Sequence, residues 1–558
     1  MSDFFSELIE SVKAKKLSKE DFSKLKLILC KKYGIVKVPI DIEVLTHAKK
    51  EDLDFLKKYL KTKPVRTISG VAVIAVMTKP IKCPHGKCIY CPGGVNSFFG
   101  NVPQSYTGKE PAAMRAIRTN FDPYLQVFSR LEQYIVAGHN PEKAELIIMG
   151  GTFPSFPKKY QENFVAYSLK AMNDFSKMFY KKREFDFDKF RKFFELPGTI
   201  KDKKRVKRVL AKIKKLKGKA NLKKEQLKNE RLVIRCIGMT IETRPDCCSA
   251  NEVKFMRKLG ATRVEVGVQS LDDDVLKKIE RGHTVKETIN AFKTLRDFGF
   301  KINAHYMIGL PFSDMKKDIE GLKKLFSDEN FRPDMLKIYP CIVTKGTKAY
   351  ELWKKGDFKP LSSEEAAEII AEAKKYVPEY CRIMRIQRDI PSTVIEAGPK
   401  MTNLRQYVNE LMAKKGIKCK CIRCREIKTA KIENPQLIVR EYSASGGKEY
   451  FISVEDNDKL IGFCRLRIVD EDETAFIREL HVYGVAENVG EASGNVQHRG
   501  FGKQLMKKAE EIAIENKVKK IKVISGIGVR EYYKKLGYKK DGTYMSKVLI
   551  KNKTSRQL

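Results

Sequence analysis

The sequence predicts a mixed α/β chain in three parts: a small N-terminal helical domain, a partial barrel of parallel strands, and a separate α+β domain at the C-terminal end. Three observations carry that class. From about residue 64 to 339, short apolar strands alternate with amphipathic helices, which argues for parallel strands joined by right-handed crossovers. From about residue 433 the pattern becomes consecutive strands, then a glycine loop and a long helix. Ahead of both, the first sixty or so residues place apolar and basic residues at helical spacing. A chain of 558 residues is long enough for three or four separate cores.

In order along the chain, FSKLKLILCKKYG and EDLDFLKKYLKT mark a basic helical domain over 1–63. Pro64 and the extended TISGVAVIAVM (67–77) begin the barrel. Its further strands are AELIIMGG (144–151), RLVIRCIGMTIET (231–243), ATRVEVGVQS (261–270), KINAHYMIGLP (301–311) and DMLKIYP (334–340), with NEVKFMRKLG and VKETINAFKTLRDFG among the helices between them. Chemistry in such barrels gathers at the C-terminal strand ends, and here those ends read GGTF, ETRPD, GVQS and IGLP. A helical insertion interrupts the unit at about 181–230, with 20 basic and 7 acidic residues. It reads either as a solvated face or as an arm that binds a nucleic-acid backbone. Residues 340–432 form a linker region that includes MRIQRDIP (384–391) and a second run of cysteines. Over 433–558 the strands REYSASG, EYFISVED, KLIGFCRLRIV and TAFIRELHVYG precede the helix LMKKAEEIAIEN, the strand KIKVISG and the short helix VREYYKKLGY.

Lys and Arg number 111 against 69 Asp and Glu, a net charge of +42. Nucleic acid is the first partner such a surplus suggests, although a lysine-rich proteome would also produce it. No apolar run reaches membrane-spanning length and no signal peptide is found, so no membrane partner and a cytoplasmic location are expected. In that compartment the 13 cysteines are read as metal ligands where clustered and as core residues elsewhere. Cys30, Cys236, Cys341, Cys381 and Cys464, and the adjacent Cys247 and Cys248, fall in the second group.

The first cluster is KCPHGKCIYCPGG, with Cys83-x4-Cys88-x2-Cys91. It is too compact for a closed zinc site unless a fourth ligand joins, and His85 is one candidate. Three thiolates equally suit a 4Fe–4S cluster with one iron left open. CPHGKCIYCPGG after the first strand, followed by GGTF and GVQS, resembles the radical S-adenosylmethionine (SAM) superfamily. The usual spacing there is C-x3-C-x2-C. The extra residue in the first gap here fits the branch that holds the catalytic subunit of Elongator. The resemblance implies that Cys83, Cys88 and Cys91 bind the cluster and that SAM chelates the open iron. It also implies that Gly150, Gly151 and Thr152 meet the methionyl amine and that Glu242 and Gln269 line the SAM site. Hydrogen bonding at the barrel mouth without cofactor contact is the plainer reading of Glu242 and Gln269.

Towards the C-terminus, ELHVYG is followed by VQHRGFGKQLMKKAEE, in which Gln497-x-x-Gly500-x-Gly502 opens a helix. Free N–H groups at such a helix start suit a pyrophosphate. With the strands before it and the helix of Tyr532 and Tyr533 after it, this resembles the GNAT acetyltransferase fold and its acetyl-CoA loop. The resemblance implies that the backbone of Glu479, Leu480, His481 and Val482 receives the acetyl-pantetheine arm. Gln497, Gly500, Phe501, Gly502 and Lys503, with Arg499, would hold the phosphates, and Tyr533 would lie near the thioester. Plain core aromatics are the alternative reading of Tyr532 and Tyr533, and His481 reads equally as a packed strand residue.

A radical SAM barrel followed by a GNAT domain, together with GGTFPSFPK, MRIQRDIP and ELHVYG, is similar to the catalytic subunit of Elongator in its archaeal-type, stand-alone form, from about Val65 onward. That family attaches a carboxymethyl group to C5 of the wobble uridine (position 34) of tRNA. The resemblance implies that a radical from SAM takes hydrogen from the acetyl methyl of acetyl-CoA, that the carbon adds to C5 of a flipped uridine, and that thioester hydrolysis releases CoA. Lys158 matches a family position that contacts acetyl-CoA from the radical domain, so Lys158 and Tyr533 are the residues assigned catalytic roles. Expected partners are tRNA, acetyl-CoA and an electron donor for the cluster, with a homodimer left open. The N-terminal helices, the insertion, Arg385 and Arg388 are expected to hold the tRNA backbone.

The second cluster, KCKCIRC, gives Cys419-x-Cys421-x2-Cys424 and is expected to hold a structural zinc whose fourth ligand the sequence does not name. His305 is one candidate for it, though it fits a barrel strand as well. Competing readings are a protein lysine acetyltransferase whose iron–sulfur domain only supports the fold, and an RNA-binding scaffold with degenerate sites.

Overall fold

A computed structural model of the chain describes residues 2–15, 17, 19–35, 38–39, 43–44, 47–48, 50–52, 55–56, 70–198, 201–428, 432–469, 473–483 and 500–549. The expected helix at 51–62 and the start of the first strand, 67–69, fall mostly outside these residues. The N-terminal helices α1 (Ser2–Lys15) and α2 (Lys19–Lys32) pack together through one face each. Phe4, Phe5, Leu8, Ile9 and Val12 recur at three- and four-residue steps and are buried against Phe22, Leu29 and Cys30. A Lys32–Glu7 ion pair at 2.7 Å crosses between the two helices.

Seven parallel strands form the main sheet: β1 (Val71–Met77), β2 (Lys143–Met149), β3 (Arg235–Thr243), β4 (Arg263–Gln269), β5 (Lys301–Ile308), β6 (Met335–Pro340) and β7 (Arg382–Arg385), in that spatial order. The sheet is an open half-barrel, as the alternation of strands and helices predicts. Alternate residues set its two faces. Ile74 and Val76, Leu146 and Ile148, and Val264 and Val266 point outward into the core shared with the helices. Helix starts are fixed locally: Ser249 with Glu252, and Thr284 with Glu287, form capping boxes for Ala250–Leu259 and Val285–Asp297. Two boundaries differ from expectation. β3 begins at Arg235 rather than Arg231, and β7 comes from within the region read as a linker, so that region completes the sheet.

The insertion begins with a hairpin (Tyr180–Lys181 and Glu184–Phe185) before its helices, which include α3 (Lys203–Leu216). It thickens the helical layer rather than swinging free. Phe190 and Phe194 pack on Phe175 and Phe179. Buried Arg205 donates to the Phe194 carbonyl at 2.9 Å and pairs with Glu132 at 2.6 Å.

The second sheet runs β8 (Gln436–Ser443), β9 (Lys448–Asp456), β10 (Lys459–Ile468), β11 (Thr474–Val482) and β12 (Lys520–Val523), with β13 (Lys539–Asp541) and β14 (Tyr544–Val548) in the order β8-β9-β10-β11-β12-β14-β13. It docks against the N-terminal ends of the barrel strands. The loop after β12 lies on β3 so closely that a Cβ at Gly526 would stand 2.0 Å from the Ile237 carbonyl oxygen. Charges fill this contact. Arg478 donates to Asp334 at 2.8 Å and to Glu449 at 3.0 Å, Arg467 to Glu449 at 3.2 Å, and Arg465 to Glu479 at 2.9 Å; all six of these residues are buried. Among the described residues no helix is long and apolar enough to cross a membrane.

Candidate functional site

The first cysteine loop leaves the C-terminal end of β1, where barrel chemistry is expected. A turn with the Gly86 N–H on the Cys83 carbonyl at 3.0 Å, and a second with the Cys91 N–H on the Cys88 carbonyl at 2.9 Å, brings the three side chains round to one side. Gly86 sits at φ +94°, where a side chain would be strained. The three sulfurs are not drawn into a group within 4.8 Å of one another, as those of Cys419, Cys421 and Cys424 are. That spread suits a polynuclear cluster better than a single ion.

Each sulfur faces a donor. The Ser105 N–H lies 3.2 Å from Cys91 Sγ, Thr152 Oγ1 3.7 Å from Cys83 Sγ, and His85 Nε2 and an Arg281 N–H lie 3.2 and 3.7 Å from Cys88 Sγ. Burial pushes the Cys91 thiol up to about 11 and raises that of Cys83. Two buried thiols and the half-buried Cys83, with donors already aimed at them, are a ligand set awaiting positive charge, and these residues fit an iron–sulfur cluster. Burial also pushes His85 down to about 4, so it is a neutral ring that touches a ligand sulfur.

The glycines and acids named for SAM converge beside this loop. A Cβ at Gly151 would lie 3.8 Å from Cys83 Sγ, and one at Gly150 would strike Thr78 Oγ1 at 2.2 Å. Glu242, at the end of β3, accepts a hydrogen bond from Tyr106 Oη at 2.9 Å and interacts with the Gly150 N–H. Burial, then the neighbouring Glu265 carboxylate, pushes Glu242 up to about 7. Gln269 turns out of β4 at φ +67° and is half-buried. Sequence reasoning missed Gln104, Tyr106 and Arg281. Gln104 spans the loop, accepting from the Cys83 N–H and donating to the Gly86 carbonyl at 2.9 Å.

The second sheet supplies a different opening. β11 and β12 pair in parallel only from Thr474 to Ile477 and from Lys520 to Val523, then part. Glu479, Leu480, His481 and Val482 lie beyond the split and stay bonded to β10 on their other side. The backbone edge facing the gap is therefore free for an extended ligand. The helix α4 (Phe501–Glu515) starts at this gap, with Gly500 at φ +80° as its N-cap. A Cβ at Gly502 would lie 2.9 Å from Tyr532 Oη and 3.9 Å from Val482 Cγ2. Phe501 is buried and Lys503 exposed, so the first contributes its backbone and the second its charge. Gln497 and Arg499 lie outside the described residues. The tyrosine hydroxyl against the glycine turn belongs to Tyr532, which is 38% exposed; Tyr533 is 7% exposed and neighbours Cys464. His481 packs on Phe463 and Tyr483, and burial pushes it down to about 4.

Lys158 opens the helix Lys158–Phe179, with its ammonium 4.3 Å over the Phe255 ring. It makes no ion pair among the described residues. Cys419, Cys421 and Cys424 form a compact group within 4.8 Å, beside Arg405, Arg423 and Lys374. This donor set fits a metal ion. His305 is not part of it: its ring sits inside the barrel, 3.0 Å from Glu265. Arg388 donates to the Ser105 carbonyl at the barrel mouth, and Arg385 pairs with Asp389.

Comparisons with known proteins agree with this fold. Family models match for the Radical SAM superfamily at residues 80–322, its C-terminal domain at 333–414, the Acetyltransferase (GNAT) family at 423–538 and the ELP3 N-terminal domain at 1–68. The chain is 46% identical to the tRNA uridine(34) acetyltransferase of Methanocaldococcus infernus over 97% of this chain and 98% of that protein. It is 39% identical to Elongator complex protein 3 of Homo sapiens over 95% and 93%. A solved structure of Methanocaldococcus infernus Elp3 lacking residues 1–46 superposes with a TM-score of 0.69 at 41% identity, covering 87% of this chain and all of that one.

Proposed function

Because the chain belongs to the family of tRNA uridine(34) acetyltransferases and Elongator complex protein 3, we propose that it modifies the wobble uridine of tRNA and that its product is 5-carboxymethyluridine. The observation that carries this reading is the joining of two unlike sites in one packed body. A three-thiol cradle opens at one end of the half-barrel, and a parted strand pair with a glycine-started helix lies against the other. A carbon–carbon bond to uracil C5 needs both, since the acetyl methyl C–H is unactivated. A 4Fe–4S cluster on Cys83, Cys88 and Cys91, together with SAM, supplies radical chemistry able to break such a bond.

The chain's own residues hold the parts in place. Gly150 and Gly151 allow close approach beside Cys83, and Glu242 presents a half-buried carboxyl to the same face. Glu479 to Val482 offer their backbone edge to the pantetheine arm, and the first turn of α4 offers N–H groups to the phosphates. Tyr532 borders this gap, with its hydroxyl against Gly502, and shares the tyrosine role expected of Tyr533. Lys158 lies on the outer helical layer, where its role is to meet CoA or tRNA phosphates. Cys419, Cys421 and Cys424 hold a structural zinc. The tRNA backbone follows the basic outer face of α3, the N-terminal helices and Arg388, and an external reductant feeds the cluster.

The test is anaerobic incubation of cluster-loaded protein with SAM, reductant, tRNA and acetyl-CoA labelled in the methyl carbon. Label as carboxymethyl on uridine is the expected result. Label on protein lysines alone, with uridine unchanged, would replace this reading with a lysine acetyltransferase.

A further inference from the structure

The helix that carries Tyr532 and Tyr533, Arg530–Lys535, is six residues long and its start has no side-chain cap. A helix so short does not hold its own direction; its neighbours do. One anchor belongs to its own unit: Tyr533 is buried and packs on Tyr538. The other anchor is foreign. Residues 525–530, which lead from β12 into the helix, lie on the half-barrel and are buried except for half-buried Val529. A Cβ at Gly528 would stand 2.5 Å from Arg235 Cβ, and one at the barrel's Gly260 would stand 2.7 Å from Ile527 Cδ1. The segment is thus keyed into the barrel at full packing density.

Two buried side chains from the barrel half grip this region. Arg257, on the helix Ala250–Leu259, donates to the Ser525 carbonyl at 2.9 Å and to the Thr543 carbonyl. Glu230, 5% exposed, closes the basic insertion and accepts from Arg530 at 2.6 Å. Lys540, on β13 just past the helix, stands 3.7 Å from the same carboxylate oxygen. One carboxylate therefore answers a cation ahead of the tyrosines and another after them. Glu230 is itself held by the helix Leu222–Asn229 that precedes it. There Gln226 donates to the Lys258 and Leu259 carbonyls, both at 3.0 Å, and Asn229 accepts from the Cys236 N–H at 2.7 Å. A fixed, buried charge orients its partner strongly, because the partner has no solvent to turn to.

One anchor leaves a short helix free to turn about it; two fix its rotation. Tyr532 lies between Arg530 and Tyr533, with its hydroxyl towards the glycine turn that starts α4. We propose that Glu230 is a positioning residue for the acyl-CoA site: through Arg530 it sets the rotation of the helix, and so the place of the Tyr532 hydroxyl. A residue of the insertion then completes a site whose strands and glycine turn belong to the other unit. The inference rests on the acyl-CoA reading above and adds what places its tyrosine.

The test is a double-variant cycle on the full-length, cluster-loaded protein with tRNA, reading CoA released from acetyl-CoA. E230Q keeps the shape of the side chain and removes its charge, and Y532F removes the hydroxyl alone. Each should lower kcat/KM for acetyl-CoA about tenfold, the worth of one hydrogen bond, and the two together should lower it no further. Losses that multiply to about a hundredfold would mean that Glu230 acts on the fold at large, and would overturn the proposal. So would a full-rate E230Q or a full-rate Y532F, and either leaves the acyl-CoA reading standing. A parent protein that releases no CoA overturns that reading and the inference with it. If E230Q does not fold, R530Q replaces it in the same cycle, since Lys540 still answers Glu230.

Discussion

The chain holds two groups of three cysteines, and their surroundings are opposite. Cys83, Cys88 and Cys91 line a barrel mouth. Their sulfurs are spread, and each already faces an N–H or O–H donor beside glycines that leave room for a ligand. Cys419, Cys421 and Cys424 are drawn together within 4.8 Å, next to the barrel's last strand, with the Ile422 N–H on the Cys381 carbonyl at 2.9 Å. Spacing explains part of this. Four intervening residues in the first gap let the chain loop around a bulky object, whereas one intervening residue keeps Cys419 and Cys421 near a single point. The lesson is that a count of thiols does not assign a role; the neighbours that leave space or close it do.

That contrast can be broken by exchanging losses. C88A should abolish uridine labelling while acetyl-CoA still binds and the fold persists, because the first group serves chemistry. C421A should do the reverse, lowering unfolding free energy by at least about 2 kcal/mol while the variant that remains folded keeps its label incorporation. If C421A abolished turnover in folded protein, or C88A unfolded the chain, the contrast would fail.

A subtler probe concerns the donors that only the first group has. R281M removes a cationic N–H aimed at Cys88 Sγ. The reduced, more negative cluster loses more from this than the oxidised one. Its midpoint potential should therefore drop by about 50–100 mV, where 59 mV is tenfold for one electron, as read by anaerobic redox titration. An unchanged potential would remove Arg281 from the cluster's surroundings.

The last probe concerns Glu242. Its folded value near 7 lies above the ordinary 4.5, so the folded state binds the extra proton between those values. Stability should fall by about 1–3 kcal/mol as pH rises from 4.5 through 7, and E242Q should flatten that slope in denaturant titrations. A slope unchanged in E242Q would mean that the carboxyl is not held against its charge.

How much of this was legible in sequence depends on the range of the interaction. The strands ending in GGTF, ETRPD and GVQS, and the cysteine spacing, are local, and both pointed to the mouth. Tyr106 and Arg281 were not legible, because they reach Glu242 and Cys88 across 136 and 193 residues. β7 was hidden because RIMR (382–385) has neither the length nor the apolar run of a buried strand, being an edge. Tyr532 and Tyr533 could not be ranked, since neighbouring residues on a helix point about 100° apart and only packing says which faces the gap. The polar concave face of the half-barrel went unread: VEVGVQ and NAHYMI place polar residues on alternate positions of strands taken simply as barrel strands.

The buried arginines between the sheets carry an evolutionary consequence. Arg478 and Arg465 on one unit answer Asp334 on the other, and an unanswered charge at such depth costs about 3–5 kcal/mol. Neither half can be shuffled into a foreign chain like a bead on a string unless its counter-charge travels too. A recombinant that mixes halves from distant relatives should therefore fail at the level of folding, before its chemistry is ever tested, wherever the partner of these arginines is missing.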